Sequence, residues 1–169
     1  QDKLKKVDLN SLLSGSEGTL TFCTELTLNL IPIPENKCLL VLGYSSFRDA
    51  LADSLRLRSL KPIAIETIDW NILELAKKDE VYHEVEDYFS FDDKLRGLNL
   101  IEFNCSLGSL PKDLDDDFFK ASKVLQHYKT EDKTQIKALW AIRKKGVGLL
   151  AAMQGPAQPI AFVEDTVVN

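Results

Sequence analysis

From Leu20 the chain alternates with a period of two. Leu20, Phe22, Leu26, Leu28 and Leu30 share one parity, while Thr21, Cys23, Glu25, Thr27 and Asn29 fill the other. A period of two predicts a long half-buried strand. Ile31-Pro32-Ile33-Pro34 ends it, because proline cannot donate to a ladder, and this is the expected domain boundary. Before the strand, a short helical pattern (Leu4, Val7, Leu12, Leu13) closes at Ser14-Gly15.

Beyond the prolines, Cys38 to Tyr44 is an apolar run of buried-strand length. Ser46-x-x-Asp49 resembles a capping box. It opens a helix with Ala50, Leu51, Ser54 and Leu55 inward, ending before Pro62. Ile63 to Ile68 is the next expected strand and Trp70 to Ala76 a short helix. The acidic stretch 77–97 is helical or loop-like. Leu98 to Cys105 is another strand, closed by the turn Gly108-Ser109-Leu110-Pro111. Asp115 to Tyr128 is expected as a helix with Phe118, Ala121 and Leu125 inward, its acidic start meeting the positive end of the helix dipole. A second helix starts near Asp132 with Ile136, Leu139, Trp140, Ile142 and Arg143, weakened at Gly146-Val147-Gly148. Pro159 to Val168 is the last strand. A strand–helix–strand unit could also build a parallel sheet. Uneven helix placement favours an α+β fold: a ferredoxin-like antiparallel sheet with helices on one face.

The 169 residues suit about one domain, and a net charge of -5 argues against nucleic acid, which needs a basic face. No apolar run approaches the ~20 residues of a transmembrane segment, and no secretory leader is visible. Cys23, Cys38 and Cys105 lack metal-site spacing, so no metal is expected. They read as buried, reduced thiols of a cytosolic protein. His83 and His127 lie on charged stretches and carry no expected chemistry. The start at Gln1 and the end at Asn169, inside an expected strand, suggest a piece of a longer protein.

Gly15-Ser16-Glu17-Gly18-Thr19-Leu20 sits between the first helix and the alternating strand. Two glycines three apart let backbone N–H groups approach an anion, and two hydroxyls add donors. On spacing alone a tight turn before the strand is the better explanation. The motif is neither a Walker loop nor a dinucleotide fingerprint.

G-S-E-G-T-L, the strand after it and I-P-I-P resemble the exit of the FAD-binding domain in FAD-linked oxidases, the superfamily of vanillyl-alcohol oxidase and the D-lactate and D-2-hydroxyglutarate dehydrogenases. L-W-A-I-R-K-K-G-V-G-L-L and Q-P-I-A-F-V-E-D-T-V-V resemble the opening of its substrate, or cap, half, most like long bacterial members fused to an iron–sulfur region. P-I-A-I-E-T-I-D resembles a further family strand. Thr21 stands where the family commonly has Gly, and Phe22 where it has Ile or Val.

The resemblance implies residues 1–34 as the end of a FAD-binding domain and 35–169 as the N-terminal part of the cap. It implies FAD as cofactor, with Gly15, Ser16, Glu17, Gly18 and Thr19 lining one edge. A small 2-hydroxy acid is the substrate, its carboxylate held by Arg143, with Asp165 nearby. The histidines and acidic residue of family substrate sites would come from chain beyond Asn169. The partners are the remaining FAD and cap lobes of the same polypeptide. This chain alone is expected to be inactive, to bind FAD weakly or not at all, and to self-associate through exposed apolar surface. Its setting is the cytoplasm, or the membrane periphery for the parent. The competing reading is a stand-alone ferredoxin-like binding or regulatory module.

Overall fold

A computed structural model describes residues 8–105, 114, 116–120 and 122–151. They fall into two compact units that divide between Pro32 and Ile33.

The first unit opens with α1 (Leu9–Leu13). The Asp8 carboxylate caps it, accepting from the Asn10 N–H at 3.0 Å, the Ser11 N–H at 3.4 Å and the Ser11 hydroxyl at 2.7 Å. That hydroxyl, then the two N–H groups, holds the Asp8 carboxyl below the usual carboxylate range. Among the described residues the strand expected from Leu20 to Leu30 is not formed, and Phe22 is 88% and Leu30 92% exposed. An alternating segment becomes a strand only beside another strand, and the other described residues of this unit form none.

The second unit is a four-stranded antiparallel sheet in the order β2-β3-β1-β4, with β1 Lys37–Tyr44, β2 Ala64–Asp69, β3 Gly97–Asn104 and β4 Val124–Thr130. The expected α+β class and antiparallel sheet are present. Both central strands are apolar on both faces, so each needs cover on each side. Leu40, Leu42, Tyr44, Ile101 and Phe103 pack with α2 (Phe47–Leu57) and with Phe118 and Phe119 of α4 (Asp116–Lys120). Leu39, Val41, Leu98 and Leu100 point the other way. They pack with α3 (Trp70–Ala76), α5 (Lys133–Ala151) and the 85–95 segment. Helices on one face therefore describe half of the packing; a second layer covers the other side. The acidic 77–97 stretch belongs to that layer. After a 3-10 turn at Glu80–Tyr82 it buries Val85, Phe89, Phe91 and Leu95.

Three local expectations are corrected. The helix expected over 115–128 ends at Lys120, and Val124–Thr130 is a strand on the open edge of β1, from Tyr44↔Val124 to Leu39↔Thr130. Pairing with β1 outweighs the helical spacing, and Leu125 faces outward, 48% exposed. In α2, Ser46 occupies the N-cap position without a side-chain cap bond, and Asp49 instead accepts from Lys123 Nζ at 2.8 Å. Its inward face is Ala50, Asp53 and Leu57, while Leu51 and Leu55 lie outside. The rotation brings Asp53 under Tyr44, whose hydroxyl donates to Asp53 Oδ2 at 2.6 Å. Arg56 Nε donates to Asp53 Oδ1 at 2.6 Å, and Asn99 Nδ2 to the Ala50 carbonyl at 2.9 Å.

The cysteines also differ from expectation. Cys38 is buried, yet it is disulfide-bonded to Cys105, with Cα atoms 6.0 Å apart, and Cys23 is exposed. The pairing follows from the ladder: Lys37↔Asn104 brings the start of β1 beside the end of β3. The expected 108–111 turn and final strand lie outside the described residues. No described helix is long and apolar enough to cross a membrane.

Candidate functional site

The G-S-E-G-T turn contains three left-handed residues. Gly15, Glu17 and Gly18 have φ of 77°, 49° and 78°. Glu17 and Gly18, with the Thr19 N–H donating to the Ser16 carbonyl at 2.9 Å, match the positive-φ pattern of a type I′ turn. The Thr19 hydroxyl donates to the same carbonyl at 2.6 Å, so it closes the turn and is committed within it. A Cβ on Gly18 would meet no atom within 4 Å. Its outer side is therefore open to close approach by another group. The backbone bonds of this turn use the N–H groups of Ser16 and Thr19.

The second candidate lies on the sheet face covered by α5. Trp140 and Arg143, one turn apart on that helix, each reach a carboxylate of the sheet. The Trp140 indole N–H donates to Glu102 Oε2 at 3.0 Å, and Arg143 Nε to Glu66 Oε2 at 3.3 Å. Glu102 is only 6% exposed, and its other oxygen accepts from Lys37 Nζ at 2.8 Å. Both oxygens of this buried carboxylate are thus paired, the condition under which a charge is tolerated there. Arg143 and Glu66 are half exposed. Beside them, Lys37, Glu102, Lys133, Ile136, Lys137 and Trp140 line most of a cleft of about 370 Å³.

The sequence-derived residues are therefore distributed. Gly15, Ser16, Glu17, Gly18 and Thr19 form one turn in the first unit, and Arg143 is in the second. Asp165 lies outside the described residues. His83 and His127 are exposed, His83 beside Glu86 and His127 stacked on Phe119. Lys37, Glu66 and Glu102 were missed by the sequence reading. A signal existed for Glu102: a carboxylate within the apolar run Leu98 to Cys105 requires a partner once that run is buried.

Among known families, the one described as FAD linked oxidases, C-terminal domain, matches residues 33–169. A D-2-hydroxyglutarate dehydrogenase of Pseudomonas putida is 37% identical over 99% of this chain, and one of Escherichia coli is 33% identical over the same share. The chain spans about 18% of the length of each. A D-lactate dehydrogenase of Anaerostipes hadrus is 36% identical over 41% of the chain, which covers 15% of that protein.

Proposed function

Because this chain belongs to the FAD-linked oxidase family and matches its C-terminal domain, we propose that it is one part of a FAD-dependent oxidoreductase acting on a 2-hydroxy acid such as D-2-hydroxyglutarate or D-lactate. Residues 1–34 are then the end of the FAD-binding domain and 35–169 the first part of the substrate cap. When bound, FAD accepts the hydride equivalent from the carbon bearing the substrate hydroxyl. The open side of Gly18 and the left-handed backbone of the turn fit close approach by the cofactor, with Gly15, Ser16, Glu17, Gly18 and Thr19 as one edge of its site. The Glu17 carboxylate makes contact with an uncharged portion of FAD more favourable than contact with its pyrophosphate.

The observation that carries the substrate assignment is Arg143. Its guanidinium is half exposed and, among the described residues, its recorded hydrogen bond uses Nε alone. The Nη1–Nη2 edge is the geometry that grips a carboxylate in bidentate fashion. Asp165 is a second contributor to the substrate neighbourhood. Neither half closes a site without the rest of the polypeptide. The exposed Leu26, Leu28, Leu30, Ile31 and Ile33 support an adjoining lobe that covers them, and self-association when it is missing. We place the parent in the cytoplasm or at the membrane periphery, where disulfides are uncommon, and the burial of Cys38 shields the Cys38–Cys105 link from exchange.

The test is Arg143→Lys in the full-length enzyme. Loss of the planar fork should raise the KM for the hydroxy acid about tenfold or more, since a charge-assisted pair contributes more than about 1.4 kcal/mol. An unchanged KM removes Arg143 from this role. The chain alone should purify colourless, and stoichiometric yellow flavin on it would contradict the divided site.

A further inference from the structure

An arginine that is held in place before a small anion arrives binds it more tightly, because the rotamer entropy of its long side chain is already lost. The surroundings of Arg143 supply such a hold in two steps. The first fixes the helix. Trp140, three residues earlier, is tied through its indole N–H to Glu102, which Lys37 anchors from the other side. The second fixes the guanidinium itself, through the 3.3 Å bond from Nε to Glu66.

The two carboxylates are arranged to serve one helix turn. Strand β2 pairs with β3 so that Ala64 faces Glu102 and Glu66 faces Leu100. Glu66 and Glu102 therefore point to the same side of neighbouring strands, two rows apart. Along α5 the Trp140–Arg143 step is a rise of roughly 4.5 Å against roughly 6.8 Å for two rows of a strand, a difference that the long side chains span. Each member of the Trp-x-x-Arg pair meets its own carboxylate.

We infer that Glu66 is a positioning residue for the reaction. It holds Arg143 by Nε and so turns the Nη1–Nη2 edge outward as a preformed fork for a substrate carboxylate. The inference rests on the clamp reading of Arg143 given above. The opposite physical expectation is a competitor, in which the Glu66 charge repels the incoming acid and must be displaced from Arg143. The two give opposite signs for the same substitution.

The experiment uses the full-length flavoenzyme with D-2-hydroxyglutarate as the assayed substrate. Glu66→Ala removes the acceptor, and KM should rise about tenfold while kcat stays within about twofold, the signature of lost uniform binding. Glu66→Gln keeps an acceptor oxygen for Nε without the charge, and KM should stay within about threefold of the parent value. In an Arg143→Lys background, Glu66→Ala should add less than about twofold, because the two act as one unit. Unfolding midpoint and flavin content, read on every variant, separate this effect from general damage. A KM that is unchanged or lowered in Glu66→Ala overturns the inference. If Arg143→Lys raises KM while Glu66→Ala does not, the positioning role fails and the clamp stands. If Arg143→Lys leaves KM unchanged, both fail together.

Discussion

Two glycines near the end of α5 allow the tertiary contribution to be separated from the helical one. Both pay the same helix-interior cost relative to alanine, about 1 kcal/mol. Their surroundings differ. A Cβ on Gly146 would lie 2.3 Å from Ile72 Cγ2 on α3 and 3.4 Å from the Ile72 carbonyl oxygen, whereas a Cβ on Gly148 meets nothing within 4 Å. Reaching the 3.4 Å of an ordinary contact requires Ile72 to retreat by about 1.1 Å. Ile72 is packed against the buried core between α3 and α5, so the helices must part or the side chain leave its rotamer. Overpacking of this kind costs about 1–3 kcal/mol. Gly148→Ala should therefore stabilise by about 0.5–1 kcal/mol, and Gly146→Ala should be neutral to about 2 kcal/mol destabilising once its own helical gain is subtracted. The difference between them, about 1–3 kcal/mol, isolates the contact with Ile72. Urea unfolding of the two variants at equal concentration measures it. For a chain of this length the gap corresponds to several degrees of Tm, at about 2–4 °C per kcal/mol. If the two alanine variants unfold within about 0.5 kcal/mol of each other, close approach of α3 and α5 is not why Gly146 is there.

The buried Tyr44 hydroxyl gives a pH signature. Burial first, then the hydrogen bond and charge of Asp53, push its phenol far above the ordinary tyrosine range. The folded state thus favours the neutral phenol, while an unfolded tyrosine ionises near ~10. The stability this provides is complete below pH ~10 and is lost as pH rises beyond it. Urea midpoints followed through the alkaline range should fall more steeply for the parent chain than for Tyr44→Phe. That variant should itself lose about 1–3 kcal/mol near neutrality, because Asp53 loses a buried donor; parallel alkaline profiles would refute the assignment. The Cys38–Cys105 link closes a separation of 67 residues, for which chain entropy gives about 4 kcal/mol as an upper figure. Dithiothreitol should lower the unfolding midpoint accordingly. Thiol titration of the denatured chain should count one cysteine before reduction and three after, from the three present; three before reduction would show that the link is not made.

What the sequence determined alone was local. Trp70–Ala76 is a helix, with Asp69 capping it through the Ile72 N–H at 2.9 Å. The apolar runs starting at Cys38 and Leu98 are strands because both their faces are oil-like and their lengths suit a sheet. The left-handed turn at Gly15–Thr19 was legible from its glycines, and the family from its motifs. What the tertiary structure decided was every feature that depends on a neighbour. Val124 to Thr130 has a spacing that suits a helix, and it is a strand because it lies against the open edge of β1. Asp53 turns inward because Tyr44 waits for it. Gly146 is a point of close approach because Ile72 stands across from it. Arg143 meets Glu66 because the fold brings β2, 77 residues away in sequence, within reach of α5. Hydrogen-bond ladders and ion pairs need two parties, and a single stretch of sequence specifies only one of them.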